Sequence, residues 1–217
     1  MNDFYFFITD NKRGTPYAPT IVSSNPIYLD NCPKCDATRF NENNRDLSLI
    51  IEGKRALPDY LNCGHYSLCI VSDKVIEAWQ KNNVTGYTVF PIKKLFTDKK
   101  GNELSTNVQY FNVTITGRAE LDYKQMNIKI KKQCSKCGYI EYNKDTWEFG
   151  TAVIKTGTYD GSDLFVVKGF EAMPICTIKM LEIVYKEKLT NFAFRSYKSL
   201  FSYLHLPPAV DLKTIFK

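Results

Sequence analysis

Histidine is scarce in this 217-residue sequence, which contains only His65 and His205. Neither histidine lies in a recognisable nucleophile motif, and the sequence has no glycine-rich phosphate loop, no His-Glu-x-x-His motif and no Gly-x-Ser-x-Gly motif. The sequence therefore predicts a protein that is not an enzyme. A cysteine hydrolase that uses Cys63 or Cys69 with a histidine stays open as an alternative.

Long apolar runs are also missing. No segment approaches the roughly 20 apolar residues of a membrane-spanning helix. The apolar run from Phe4 to Ile8 follows a polar and acidic start, and it is too short for the apolar region of a secretory signal. We therefore expect a cytoplasmic protein that does not bind a membrane. In that reducing compartment, closely spaced cysteines indicate metal binding more than disulfide bonds.

Neither sign of charge dominates, because the sequence has 29 lysines and arginines, 23 aspartates and glutamates, and a net charge of +6. This mild excess permits an acidic partner without demanding one. Aromatic residues are abundant, with 14 Phe, 14 Tyr and 2 Trp, and hydrophobic residues make up 44% of the chain. That composition excludes a disordered chain and supplies a core.

Four of the seven cysteines form two pairs with the same spacing, Cys32-Pro33-Lys34-Cys35 and Cys134-Ser135-Lys136-Cys137. One tight turn can hold both sulfurs of such a pair on one cation, and four thiolates complete the closed tetrahedral shell of a structural zinc site. Gly138, and Asp36 at the matching place, tolerate the positive φ with which the turn folds back. We predict that Zn2+ is bound by Cys32, Cys35, Cys134 and Cys137.

Other interpretations of the cysteines stay open. Separate redox motifs would need a helix N-terminus directly after each pair, and Asp36-Ala37-Thr38-Arg39 is an indifferent candidate. Cysteines that pack without metal are a further possibility. Cys69 and Cys176 lie in or beside apolar runs, which predicts small core residues. Cys63-Gly64-His65 indicates a loop with a partly buried thiol more than a second ligand pair.

A strand-helix-strand pattern occurs twice. In the first copy, Leu68 to Val71 and Tyr87 to Phe90 indicate strands on either side of a helix. Ser72 is its predicted N-cap, through its hydroxyl, and Gly86 suits the turn after its end. Placing Leu68 on Met173 aligns 22 residues without a gap, and the cysteine pairs echo this alignment at a shift of 102 residues.

The remaining strands are predicted at Phe4 to Ile8, Leu47 to Ile51, Val108 to Thr116 and Met126 to Lys132. A short amphipathic helix is predicted near Tyr197, and the last nine residues are expected to form a loosely packed tail. The predicted fold class is α+β, with mixed or antiparallel sheets and few helices. We expect a single domain over residues 1–217 with two pseudo-repeated strand-helix-strand lobes, approximately 1–100 and 101–217, joined by a four-cysteine site that resembles a zinc ribbon.

Residues 122–144 are basic, with six lysines against Asp122 and Glu141. Lysines with interleaved tyrosines suit phosphate neutralisation and base stacking, so nucleic-acid binding through Lys129, Lys131, Lys132 and Tyr139 is the alternative function. The favoured interpretation is a solvated strand edge whose lysines oppose edge pairing and offset the charge of a four-thiolate zinc centre.

The sequence resembles the double-CXXCG motif family, whose members are similar to immunity proteins of bacterial polymorphic toxin systems. The resemblance rests on three parts of the chain: Met1-Asn2-Asp3-Phe4-Tyr5, the two cysteine motifs, and the closing segment from Asp163-Leu164-Phe165-Val166-Val167-Lys168-Gly169-Phe170 to Phe192. Asp36 replaces the glycine of the family's first motif. The resemblance implies a binding protein that neutralises a cognate toxin inside the producing cell, with zinc as its scaffold.

Overall fold

The computed structural model describes residues 3–9, 20–22, 29–40, 48–51, 56–61, 68–92, 94–97, 107–142, 151–171, 173–201 and 207–216. Over these ranges the chain is α+β, with three α-helices among fifteen strands. The predicted fold class of mixed and antiparallel sheets with few helices is confirmed. Within the same ranges, no helix has the length and apolar character needed to cross a membrane.

The helices are α1 (Asp73–Lys81), α2 (Ile178–Lys186) and α3 (Leu212–Ile215), and a short 3-10 turn covers Tyr197–Ser199. The strands are β1 (Phe4–Thr9), β2 (Thr20–Val22), β3 (Leu29–Asn31), β4 (Thr38–Phe40), β5 (Ser48–Ile51), β6 (Cys69–Ser72), β7 (Tyr87–Pro91), β8 (Lys94–Thr97), β9 (Tyr110–Ile115), β10 (Gly117–Ala119), β11 (Ile130–Gln133), β12 (Ile140–Tyr142), β13 (Leu164–Val167), β14 (Ile175–Thr177) and β15 (Phe192–Ser196).

Two sheets carry the strand-helix-strand units. The larger sheet has the order β10-β13-β14-β1-β15, and the smaller has the order β6-β9-β7. A third sheet has the order β2-β5-β8, and two hairpins, β3–β4 and β11–β12, stand outside these sheets. Most pairings are antiparallel, but β10 with β13 and β5 with β8 are parallel.

In each unit, the two strands on either side of the helix are separated in the sheet by a strand from the other half of the chain. β1 pairs antiparallel with both β14 and β15, while β9 pairs antiparallel with both β6 and β7. β1 and β9 have six residues each and the same order of buried and part-buried residues. Residues 1–100 and 101–217 are therefore interleaved in their pairing, and their division into two lobes stays a prediction.

The two units also agree in length and in how their helices end. α1 and α2 have nine residues each and begin at Asp73 and Ile178, 105 residues apart. After the helices, Asn83 and Lys188 have φ of 50° and 51°. Three residues further on in each unit the φ is again positive, at Gly86 and Asn191. These left-handed positions end both helices in the same way, although a duplication of the sequence remains a prediction.

The prediction that the Ser72 hydroxyl caps α1 is wrong. Ser72 and its counterpart Thr177 stand at the N-cap positions, but neither side chain caps its helix. The Ser72 hydroxyl instead donates to Asp59 (2.9 Å), and the Thr177 hydroxyl donates to Asp163 (3.3 Å). A charged carboxylate is a strong hydrogen-bond acceptor. The sequence pattern does not reveal these partners, because the tertiary fold decides where each carboxylate lies.

The described residues form two large apolar clusters and a third, smaller one of Leu61, Ile70 and Tyr110. The first joins both helices and includes Val75, Trp79, Met180, Leu181 and Phe194. The second includes Phe4, Phe6, Phe165, Leu200 and Phe201. Cys69 and Cys176 belong to the first cluster, which confirms their prediction as core residues. Burial raises the pKa of Cys176 and keeps its thiol neutral.

Three local predictions need correction. The strand expected over Met126 to Lys132 begins only at Ile130, because Asn127 takes a positive φ of 54° in the preceding turn. The helix expected near Tyr197 is, among the residues that can be described there, only a 3-10 turn. The expected loose tail contains α3, and Val210, Leu212 and Phe216 pack against the first cluster. Cys63, His65 and His205 lie outside the described residues.

Candidate metal centre

Each cysteine pair lies at the tip of one of the two separate hairpins. In the β3–β4 hairpin, the N–H of Cys32 donates to the carbonyl of Ala37 (3.0 Å), and the N–H of Asp36 donates to the carbonyl of Cys32 (2.8 Å). These bonds close a tight turn that contains both cysteines. Asp36 adopts a φ of 57° there, as the sequence predicted.

The β11–β12 hairpin repeats this turn. The N–H of Cys134 donates to the carbonyl of Tyr139 (2.8 Å), and the N–H of Gly138 donates to the carbonyl of Cys134 (2.8 Å). Gly138 has a φ of 73°, which confirms its predicted role. The spacing of two residues and the positive φ thus produce the same local geometry twice.

The fold brings the two turns together. The four Sγ atoms of Cys32, Cys35, Cys134 and Cys137 all lie within 4.8 Å of one another. Across the two hairpins, Cys32 Sγ lies 3.8 Å from Cys134 Sγ, and Cys35 Sγ lies 3.4 Å from Cys137 Sγ. A regular tetrahedron with metal–sulfur bonds of about 2.3 Å has sulfur–sulfur edges of about 3.8 Å, whereas a disulfide requires about 2.05 Å. The four cysteines lie close enough to hold a metal ion.

Backbone donors prepare two of the sulfurs for the thiolate state. The N–H of Cys137 is the main reason that the pKa of Cys134 falls to about 6, and the N–H of Lys34 lowers the pKa of Cys32. For Cys35, the N–H of Ala37 acts in the same direction, but burial and the neighbouring sulfurs together raise its pKa to about 12. Four crowded sulfurs cannot all ionise without a cation between them, so the donor set suits a divalent metal.

Further contacts hold the two turns against each other. Lys34 Nζ, on the first turn, donates to Ser135 Oγ on the second at 2.7 Å. Within the second turn, the N–H of Tyr139 donates to Cys137 Sγ at 3.4 Å. Cys32 and Cys134 are each only 5% exposed. Because four protein sulfurs fill a tetrahedral shell, such a centre keeps no open position for a substrate and acts as a structural element.

The four residues of the nucleic-acid alternative lie on or beside the β11–β12 hairpin. Lys129, Lys131, Lys132 and Tyr139 are all exposed. Lys131 is engaged in an ion pair with Glu141 at 2.7 Å. The sequence therefore located an exposed basic surface, next to the metal centre.

Sequence reasoning missed two aspartates that join the halves of the chain. Asp59 accepts hydrogen bonds from the N–H and the hydroxyl of Thr190, both at 2.8 Å. Asp163 accepts from the N–H (3.0 Å) and the hydroxyl (3.3 Å) of Thr85. We call these contacts the Asp59 clasp and the Asp163 clasp. Thr85 and Thr190 occupy matching positions in the two strand-helix-strand units, which was a signal in the sequence. Nothing in the sequence pairs either threonine with its aspartate.

A lysine completes each clasp at the matching place. Lys179 Nζ lies 2.9 Å from Asp163 Oδ2, and Lys74 Nζ lies 3.8 Å from Asp59 Oδ2. The halves are therefore joined at the four-cysteine centre and at two clasps with matching chemistry.

No protein-family model matches the chain, and no curated protein matches it.

Proposed function

We propose that this protein is an immunity protein that binds and neutralises a cognate bacterial toxin in the cytoplasm of the producing cell, with a structural Zn2+. The observation that carries the proposal is the convergence of two CXXC turns, separated by 98 residues in the sequence, on one set of four sulfurs. This arrangement supports the resemblance to the double-CXXCG family, for which both motifs are the defining feature.

Zinc is the metal that best suits the site. Four thiolates in a closed tetrahedral arrangement favour zinc over magnesium or calcium, which prefer oxygen ligands. A structural zinc site contributes about 10–16 kcal/mol in small peptides, against a total domain stability of about 5–15 kcal/mol. Binding of a metal that closes such a long loop can therefore determine whether the two halves of the chain stay assembled.

A structural metal leaves function to the protein surface. Immunity by stoichiometric binding requires a stable, preformed surface and no catalytic group, and a metal-clasped scaffold supplies such a surface. The cognate toxin is the proposed partner, and a toxin-like reading frame beside the gene is the expected source.

The test is co-expression. The toxin from the adjacent reading frame is expressed with this protein, and we expect the cells to survive and the purified proteins to form a complex. A toxin frame with an inactivated start codon serves as the control for expression burden. Failure of the protein either to rescue growth or to bind the toxin would defeat the proposal.

Nucleic-acid binding is the second candidate, and the exposure of Lys129, Lys132 and Tyr139 on one hairpin supports it. It predicts a mobility shift with single-stranded DNA or RNA that weakens as salt rises. Absence of a shift at low salt removes this candidate.

A further inference from the structure

We propose that the β11–β12 hairpin is the docking surface of this protein, and that it receives an acidic polypeptide segment of a protein partner. Where that partner is a toxin, the inference rests on the proposed function and deepens it. The two cysteine hairpins hold the same centre with the same turn but differ in charge.

The charge difference is visible in the sequence of the two hairpins. The first, residues 29–40, has two basic residues, Lys34 and Arg39, and two acidic residues. The second, residues 130–142, has Lys131, Lys132 and Lys136 against Glu141 alone. Both hairpins contribute two sulfurs to the same centre, so the need to offset the thiolate charge applies to both. That need does not explain why only the second hairpin has an excess of basic residues.

Among the described residues, most of the lysines on this surface have no acidic partner. Lys131 is paired with Glu141. Lys129, Lys132 and Lys136 are exposed, and in the part of the chain that the structure describes no acidic group lies within ion-pair distance of them. Three lysine side chains are therefore available to carboxylates of another molecule.

Apolar side chains accompany the lysines. Ile130 is 41% exposed and Tyr139 is 50% exposed, and both belong to this hairpin. They are two of the five large hydrophobic side chains most exposed among the described residues. Apolar side chains with a charged rim match the composition of protein interfaces, in which tyrosine is enriched.

The β11–β12 hairpin is also held in place by contacts with the rest of the protein. Ile140 is 6% exposed, Tyr142 stacks on Phe170 with ring centroids 6.0 Å apart, and the Tyr142 hydroxyl donates to that of Tyr123 at 3.2 Å. With the cysteines fixed at its tip, the hairpin is ordered before a partner arrives. Binding therefore costs little additional conformational entropy.

These features favour a polypeptide over a nucleic acid. Strong, salt-dependent binding to a nucleic-acid backbone takes several phosphate contacts, about 6–10 in a typical case, and this surface offers three lysines that have no acidic partner among the described residues. Base stacking uses aromatic faces, which Tyr139 has but Ile130 does not. An acidic segment with apolar residues uses both the lysines and the isoleucine.

The test measures fluorescence anisotropy with the zinc-loaded full-length protein. The probes are a labelled peptide of alternating Glu and Val, the same peptide with Gln in place of Glu, and a single-stranded dT oligonucleotide. We expect saturable binding of the Glu peptide that weakens with salt, and weaker binding of the Gln peptide. The charge-reversed double variant Lys129→Glu/Lys132→Glu should lose about tenfold or more in affinity for the Glu peptide.

A matched control changes the net charge equally on elements outside the hairpin. Lys198→Glu/Lys213→Glu alters one exposed lysine in the 3-10 turn and one in α3, and it should bind the Glu peptide within about twofold of wild type, because exposed charges beyond the screening length contribute little. Melting temperature and zinc content of both double variants show that each is folded.

Three outcomes would overturn the docking surface: no binding of the Glu peptide at low salt, equal losses in the two double variants, or binding of the oligonucleotide without the peptide. The toxin assay separates this inference from the proposed function. If wild type fails to rescue, the proposed function fails. If wild type and Lys129→Glu/Lys132→Glu rescue equally well, only the docking surface fails.

Discussion

Substitution of Cys134 by serine tests the metal centre most directly. Cys134 is 5% exposed, and its sulfur lies 3.8 Å from that of Cys32 in the other hairpin. A serine hydroxyl stays protonated at neutral pH and is a poor zinc ligand, so the closed shell loses one of its four thiolates. We expect Cys134→Ser to lose most of its zinc.

The magnitude follows from linkage. The stabilisation at a given free zinc concentration is smaller than the full binding free energy of about 10–16 kcal/mol, because it depends on the ratio of free metal to dissociation constant. A ligand present at about a thousandfold over its dissociation constant stabilises the folded state by about 4 kcal/mol. For a chain of this size, each kcal/mol shifts the melting temperature by about 2–4 °C. Cys134→Ser should therefore melt about 8–16 °C below the zinc-loaded wild type. The measurements are calorimetry and zinc content per chain, with about one zinc per wild-type chain expected because one four-thiolate shell holds one ion.

A chelator provides the matched control within the same experiment. Removal of zinc by a chelator should lower the melting temperature of wild type and leave that of Cys134→Ser nearly unchanged, because the variant has little metal to lose. If Cys134→Ser loses its zinc yet has the same melting temperature as wild type, the metal is not structural. If wild type purified from zinc-supplemented cells contains no zinc, the metal assignment itself is wrong.

Two further predictions concern how the halves are joined. Asp59→Ala and Asp163→Ala each remove a carboxylate that accepts several hydrogen bonds, and each should cost about 2–3 kcal/mol in urea unfolding. Glu182→Ala, which removes an exposed ion pair with Lys186, should cost less than about 0.5 kcal/mol, and a clasp variant no worse than this control would contradict the role of the clasps. Gly86→Ala should cost more than about 3 kcal/mol, because its Cβ would lie 1.9 Å from the Leu164 carbonyl oxygen at a φ of +89°. Gly157→Ala has a φ of +79° with nothing within 4 Å, so it should cost only the backbone strain of about 1–2 kcal/mol, and equal losses at the two glycines would refute the steric argument.

The sequence predicted the cysteine turns better than it predicted the hydrogen bonds at the starts of the helices. Cysteine spacing and the residues at positions 36 and 138 indicate their turns locally, so both turns could be predicted. Ser72 and Thr177 were correctly placed at helix starts, but their hydroxyls bind Asp59 and Asp163 instead of helix N–H groups. Those aspartates precede their partner residues by 13 and 14 positions, and local pattern rules do not extend over such separations.

The sequence by itself determined the two cysteine turns, the cores of the two helices, and the aligned strand-helix-strand units, because spacing, positive φ and apolar periodicity all act within a few residues. Only the tertiary structure decided that β1 lies between β14 and β15, that β9 lies between β6 and β7, and that both turns meet. Strand partners are chosen by competition across the whole chain for buried faces and backbone hydrogen bonds. That choice is non-local, so the pairing of the two halves and the meeting of four sulfurs from two distant turns are properties of the tertiary structure.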